Sequence, residues 1–143
     1  MGQAVIEPTL ALQTAIRATL IASPEVAALV PAAHIRSGST RPDNLPCIIM
    51  ANGQTAFLGN AAGSQYVARV FLDLHVWALE DGADTAKAIG FAVMNALKEA
   101  PVAGGFAIDE WHLPAVRWMR DPDPDKAYTH GVLTVECVMR WSL

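Results

Sequence analysis

One continuous stretch of the chain combines an alternating strand, a glycine turn and an amphipathic helix, and it limits the folds that are available. Residues 66–79 alternate apolar with mixed side chains, which is typical of a strand that buries one face. Asp81 and Gly82 then turn the chain, and Asp84 is placed to cap a helix that we predict to extend to Ala100. Such a unit needs a sheet beside its strand and a shared core beneath its helix.

The two faces of this unit separate a predicted core from a predicted surface. The core faces are expected to be Val70, Leu72, Leu74, Val76 and Ala78 on the strand, and Ala86, Ile89, Val93, Ala96, Leu97 and Ala100 on the helix. The opposite strand face mixes aromatic and charged side chains, namely Arg69, Phe71, Asp73, His75 and Trp77. That mixture indicates either a contact with another subunit or a minor second core under long loops.

The outer side of the helix offers a second candidate surface. Phe91 projects about 180° away from the core stripe, and Met94 flanks the same side. A large apolar side chain among polar neighbours is either an incidental exposed residue or a contact for a partner chain.

The remaining elements complete an order of helix, strands, helix and strands. We predict a helix from Pro8 or Thr9 to Ala22 and a short helix begun by Ser23-Pro24-Glu25. Strands are predicted over 34–37, 46–51 and 131–141, and a strand-like stretch over 106–119 is interrupted by Pro114. Residues 52–65 have no period and form either a long hairpin tip or a mobile loop. Residues 120–130, which contain Asp-Pro-Asp-Pro-Asp, are predicted to form a stiff, solvated loop. The order indicates an α+β fold, with two helices packed on one face of a mainly antiparallel sheet.

Length and charge narrow the class of protein. With 143 residues, the chain is expected to be one domain over 1–143. Hydrophobic residues make up 52% and charged residues 17%, so either other chains cover part of the surface or the chain is simply rich in alanine. The net charge of −4 argues against a protein that grips nucleic acid through its phosphates.

The sequence also bears on compartment and thiol chemistry. No signal peptide is expected at the N-terminus, and no apolar stretch is long enough to cross a membrane, so we expect synthesis in the cytoplasm. Cys47 and Cys137 lie in apolar, strand-like runs and are expected to be buried thiols, although a disulfide between them stays open.

No motif of catalysis or metal binding stands out. His34, His75, His112 and His130 show none of the local spacings of zinc sites. The aspartates that begin at Asp121 lack the glycine and glutamate that a calcium loop needs at its sixth and twelfth positions. Residues 59–64 lack the lysine of a phosphate loop. We therefore predict no catalytic, cofactor or metal site and no enzymatic activity.

Five segments carry a resemblance to a known family. They are Pro46-Cys47-Ile48-Ile49, Leu74-His75-Val76-Trp77, the helix Thr85 to Leu97, Val116-Arg117-Trp118-Met119-Arg120-Asp121-Pro122, and Tyr128-Thr129-His130-Gly131-Val132. In this order and spacing they resemble the tail completion proteins of long-tailed bacteriophages, also called tail terminators or head–tail joining proteins. The resemblance runs from about Leu10 to Trp141, and residues 52–65 depart from it.

The resemblance implies a structural virion protein without catalysis or cofactor. Its copies would form a homo-oligomeric ring, a hexamer, at the head-proximal end of the tail tube protein, and would join the tail to the head connector or stopper protein. DNA would pass through the lumen without specific binding, and no membrane would be involved. The particle, from a phage, a prophage or a gene transfer agent, would assemble in the bacterial cytoplasm. The alternative is a small soluble module that binds a ligand or protein against Phe71 and Trp77.

Two sets of residues become candidates for contacts. For contacts between subunits we predict Arg69, Phe71, Asp73, His75, Trp77, Phe91 and Met94. For docking along the tail axis we predict loop residues, namely Phe57, Leu58 and Asn60 in one segment and Arg120, Asp121, Asp123, Asp125, Lys126 and Tyr128 in the other. Both segments are polar or flexible enough to become ordered on docking.

Overall fold

A computed structural model describes residues 6–143, so the first residues, where no signal peptide is predicted, lie outside the described part. Its helices are α1 (Pro8–Ala22), α2 (Pro24–Ala27) and α3 (Asp84–Ala96). Its strands are β1 (Ile35–Ser37), β2 (Cys47–Ala61), β3 (Gln65–Leu79), β4 (Ala107–Asp109), β5 (Ala115–Arg120) and β6 (Tyr128–Trp141). The predicted α+β class is confirmed.

No helix within residues 6–143 combines the length and apolar character that crossing a bilayer requires.

The sheet is built around β3. Its strand order is β1-β2-β3-β6-β4, and β5 pairs with β6 beside β4. The pairing of β1 with β2 is parallel, and the other pairings are antiparallel. β6 accompanies β3 from the Tyr66–Trp141 pair at one end to the Leu79–Tyr128 pair at the other. On its other side, β3 pairs with β2 along nearly its whole length.

The helices cover one face of this sheet. α1 packs on β2 and β3, while α3 packs on β3 and β6, so the main core lies between the two layers. The predicted buried face of β3, from Val70 to Ala78, is confirmed. Most of the predicted stripe of α3 is buried as well, but Ala100 is exposed because the helix ends at Ala96. Pro101 disfavours helical geometry in the residue before it.

The start of α3 differs from its prediction. Asp84 is already the first helical residue and does not cap the helix. Instead, Asp81 Oδ1 accepts a hydrogen bond of 3.3 Å from the Thr85 backbone N–H. Ala83, between them, has a φ of 69°, which directs the chain sharply into the helix.

Residues 52–65 form the distal half of a long hairpin, which was one of the two alternatives. β2 continues to Ala61, and its register with β3 shifts between Ala51 and Gln54 and again between Phe57 and Gly59. Each irregularity interrupts the alternation of faces. The lack of a period in this segment therefore comes from bulges in a strand.

Two other predicted segments differ in their bounds. The strand-like stretch over 106–119, predicted with an interruption at Pro114, consists of β4 and β5, which are separated by residues 110–114 and pair with different parts of β6. The loop predicted over 120–130 is shorter, because Arg120 ends β5 and Tyr128 already begins β6. Tyr128 pairs with Leu79 of β3. Strand pairing has thus extended order into a segment whose local composition indicates a loop.

The cysteines lie on opposite faces of the sheet. Cys137 is part of the main core, while Cys47 packs against Ile49 and Trp77 on the other face. Both are buried and free, as expected, and no disulfide joins them. Burial raises the pKa of Cys47 to about 11 and that of Cys137 to about 12, so both thiols stay protonated near neutral pH.

The indole of Trp118 joins α3 to the sheet across two glycines. A Cβ atom placed on Gly131 of β6 would lie 2.3 Å from Trp118 Cζ3, and one on Gly90 of α3 would lie 2.5 Å from Cη2. These separations are too short for any side chain larger than hydrogen. The two glycines therefore set how closely α3 approaches the β5–β6 part of the sheet.

Candidate interaction surfaces

The sheet face that lacks helices carries a small second core. Trp77, which is 3% exposed, packs there with Cys47 and Ile49, and Leu45 and Tyr128 lie against them. His75 is 7% exposed. Both were predicted as contacts for a neighbouring subunit, but their own chain already covers them. The second-core alternative therefore describes this half of the face.

A stack of rings and charges closes this second core. His75 Nδ1 lies 2.8 Å from His130 Nε2, and the His130 ring stacks on Trp77 with centroids 3.9 Å apart. The Arg41 guanidinium lies 5.3 Å from the centroid of the Trp77 ring and 2.9 Å from Asp121 Oδ2. The stack thus ties the segment 38–45 and the acidic loop to the sheet.

Asp121 of this stack differs from its prediction, and Arg41 was not predicted at all. Asp121 was predicted to be solvated, yet it is 8% exposed. The backbone N–H of Asp123 and the Arg41 guanidinium lower the pKa of its carboxyl and keep it charged. Arg41 itself lies in a segment without periodicity, so no local pattern could have pointed to it. Within residues 6–143, no three His, Cys, Asp or Glu side chains are placed to hold a metal ion.

The histidine pair makes stability depend on pH. Burial, and then repulsion from His75, lowers the pKa of His130 to about 4, and burial also lowers the pKa of His75. Asp73 and Asp121 favour protonation of the pair, while Arg41 opposes it. An unfolded histidine titrates near pH 6.5, so the unfolded chain binds more protons between about pH 6.5 and pH 4.

We therefore expect the free energy of unfolding to fall by about 2 kcal/mol as the pH is lowered from about 6.5 to about 4, after discounting for the partial exposure of His130. Urea denaturation at a series of pH values measures this change. The His130→Gln variant should show a flatter profile over the same window. Carboxylates whose pKa is lowered, such as Asp109, lose their contribution from about pH 5 downwards, so they add to the fall at the lower end of that window and the His130→Gln variant keeps this part of it. An unchanged slope in the variant would show that other groups cause the dependence.

The other half of this face is polar and internally paired. Arg69 donates to Glu136 at 2.9 Å and to Glu110 at 3.2 Å. Thr134 donates to Asp73 at 2.9 Å. Phe71 is half-buried beside them. The predicted contact residues Arg69, Phe71 and Asp73 therefore lie on a partly open surface whose charges already have partners.

Phe91 is exposed on α3, as the helix phase predicts. Its side chain is 65% exposed, and it borders a shallow groove between α2 and α3 that exposed Leu29 and Lys98 also line. Met94, which was predicted beside it, is half-buried and packs against the main core. The groove thus places the exposed apolar side chains of Phe91 and Leu29 beside polar residues such as Glu25.

One end of the sheet is aromatic. Phe57 contacts Tyr66 and Trp141 edge-on, with ring centroids 6.0 and 5.9 Å apart, and Phe106 lies 5.6 Å from Trp141. Phe57 is 61% exposed, and its neighbour Leu58 is exposed as well. The candidates Phe57, Leu58 and Asn60 are therefore residues of β2 and do not belong to a loop.

The opposite end of the sheet carries the acidic loop, residues 121–127. Carboxylates organise its backbone: Asp121 Oδ1 accepts from the Asp123 N–H at 3.0 Å, and Asp123 Oδ1 accepts from the Asp125 N–H at 2.9 Å. Asp125 and Lys126 are exposed, and exposed Arg120 lies 3.5 Å from Glu80. Because β3 has 15 residues, the two ends are about 45 Å apart.

Comparison with known proteins identifies the family. The sequence model described as tail completion protein gp17 matches residues 14–140. No curated protein sequence matches significantly. A chain from the virion of a native gene transfer agent particle is 21% identical, with 92% of this chain and 96% of that chain covered and a TM-score of 0.68. The structure of the bacteriophage SPP1 gp17 protein is also 21% identical, with coverages of 96% and 95% and a TM-score of 0.61.

At that identity the structural likeness shows a shared fold, while the sequence match covers most of the chain. The predicted resemblance is thereby confirmed. The chain belongs to the tail completion protein gp17 family, whose members are structural proteins of phage tails.

Proposed function

We propose that this protein is a tail terminator: its copies form a hexameric ring at the head-proximal end of the tail tube, stop tube polymerisation and join the tail to the head connector. The observation that carries the proposal is the placement of two unlike surfaces at opposite ends of β3. An aromatic end and an acidic end, about 45 Å apart, suit a part that contacts two different proteins.

Charge and chemistry support a passive, structural role. The net charge of −4 suits a ring whose lumen lets DNA pass without specific binding. The ring would need no cofactor and no catalysis, and it would lie at the head–tail junction after assembly in the bacterial cytoplasm, away from any membrane. A ligand site against Phe71 and Trp77, the alternative function, has little support because Trp77 is covered by its own chain.

Subunit contacts in such a ring must be heterologous, since one surface of each copy meets a different surface of the next. The candidates that remain accessible are Phe91 on α3 and the outer residues Arg69, Phe71 and Asp73. His75, Trp77 and Met94 would act beneath them as support. Burial of Phe91 in each contact would contribute about 1.5–3 kcal/mol.

Phe91→Asp is expected to convert the ring into monomers without unfolding the subunit, because it places a charge in the contact and leaves the core untouched. Native mass spectrometry measures the oligomer, and circular dichroism measures the fold. Val102→Asp, at another exposed apolar position, is the matched control and should leave the ring intact. A wild-type protein that stays monomeric, together with normal tails in particles that lack it, would contradict the proposed function.

A further inference from the structure

The sheet has an open edge of unusual composition. β1 pairs with β2 only at residues 48–50, and no described strand pairs with the same side of residues 52–61, here called the β2 edge. These ten residues include no charged residue and no proline. Open edges normally carry lysine, proline or other features that prevent pairing with another chain. The β2 edge lacks lysine and proline and keeps Phe57 exposed, and its two bulges are the feature of this kind that it carries.

The opposite side of the sheet is open as well. β4 and β5 both pair with β6, and within residues 6–143 no strand pairs with their outer sides; we call them the β4/β5 edge. One row of residues crosses the sheet between the two edges. Phe57 pairs with Ala68, Ala68 with Met139, and Met139 with Ile108. Directly opposite residues share a face, so Phe57 and Ile108 end this row on the same side.

The strand directions of the two edges are compatible. β2, β3, β6 and β4 alternate in direction, and so do β2, β3, β6 and β5. β2 therefore runs opposite to both β4 and β5. When two copies lie side by side in the same orientation, β2 of one copy is antiparallel to the β4/β5 edge of the next. Their backbone N–H and C=O groups can then bond as they do within the sheet.

We propose that the β2 edge of one copy pairs with β4 of the next, so that a single sheet continues from subunit to subunit. β5 lies level with residues 47–51 of β2, where β1 already occupies the edge, so β4 is the part of the β4/β5 edge that faces the open residues. The inference rests on the proposed ring and adds an edge contact to the contact proposed at Phe91. It assigns Phe57 to the neighbouring subunit, so that exposed Leu58 remains at the aromatic end for an axial partner. The occupant of the edge is a second copy of this chain. In this contact exposed Phe57 meets half-buried Ile108 of the partner subunit, and the two bulges in β2 bend the continued sheet. A head-to-tail contact of this kind repeats until it closes.

Hydrogen exchange tests the contact directly. In the oligomer, amides of the β2 edge that face away from β3 should exchange at least about tenfold more slowly than in dilute, dissociated protein. Residues 65–79, which are paired on both sides in each copy, serve as an internal control and should change little.

Crosslinking tests the partner. Phe57→Cys combined with Ile108→Cys should link neighbouring copies through a short bismaleimide and yield a ladder of linked subunits. Phe57→Cys with Val102→Cys is the control pair and should yield none. The native thiols will not interfere, because both are buried and their pKa values are raised.

The outcomes separate this inference from the proposed function. A ring in which the β2 edge exchanges as fast as in the monomer would overturn the inference and leave the ring standing. Crosslinks confined to dimers of the single Phe57→Cys variant would overturn it in favour of symmetric pairing of two β2 edges. Failure to form any oligomer would overturn both.

Discussion

Replacing Gly131 by alanine is expected to lower the free energy of unfolding by about 3 kcal/mol, at the upper end of overpacking costs. The new methyl group would lie 2.3 Å from Trp118 Cζ3 and 2.5 Å from Cε3. The indole cannot retreat toward α3, because it is equally close to Gly90 on that side. Elsewhere in a strand, replacing glycine by alanine usually stabilises by restricting the unfolded chain. Urea denaturation measures the loss.

A double-mutant cycle isolates the cause. In a Trp118→Leu background, which removes most of the ring, Gly131→Ala should cost less than about 1 kcal/mol. Trp118→Leu alone will also lower the free energy of unfolding. The informative quantity is therefore the difference between the cost of Gly131→Ala in the wild type and its cost in the Trp118→Leu background. Equal losses from Gly131→Ala in both backgrounds would mean that Trp118 is not what requires glycine there.

Trp77→Ala is expected to lower the free energy of unfolding by about 3 kcal/mol and to loosen the segment 38–45. Trp77 is the buried centre of the second core, and both the His130 ring and the Arg41 guanidinium lie against its indole. Its removal leaves a cavity and takes away the surface on which Arg41 lies. Urea denaturation measures the stability, and hydrogen exchange of residues 38–45 measures the loosening.

Two control variants make this result specific. Trp77→Phe should retain most of the stability, since Trp77 Nε1 is buried without a hydrogen-bond acceptor among residues 6–143 and its loss leaves no acceptor unpaired. Phe91→Ala, which also truncates an aromatic residue, should change stability by less than about 0.5 kcal/mol because Phe91 is exposed. A large loss from Phe91→Ala would show that α3 depends on that side chain.

The parts of the fold that depend on local periodicity were predictable from the sequence. The buried face of β3 and the exposure of Phe91 follow from strand and helix periods, because a wrong phase would bury charged residues. Boundaries set by pairing with distant segments were not predictable. Tyr128 is a strand residue because Leu79 lies opposite it, and the bulges of β2 conceal that segment's alternation.

Which residues share a surface was predictable where they lie on one strand or one helix, and was not predictable where the surface depends on how distant segments pack. The face of β3 that carries Trp77 was identified correctly, but its coverage depends on Arg41 and Leu45, which come from a segment without periodicity. The axial candidates were named as two loops. Their placement at opposite ends of one sheet follows from strand register, and neighbouring residues do not reveal register.

Because β3 is paired on both sides along nearly its full length, the resistance of the subunit to force depends on the direction in which the force acts. A pull between the aromatic and acidic ends acts along the strands, so it loads many backbone hydrogen bonds in shear at the same time. A pull across the sheet would instead open its pairings one strand after another. The subunit is therefore stiffest along the line that joins its two unlike ends, which is the direction in which tension between two attached partners would act.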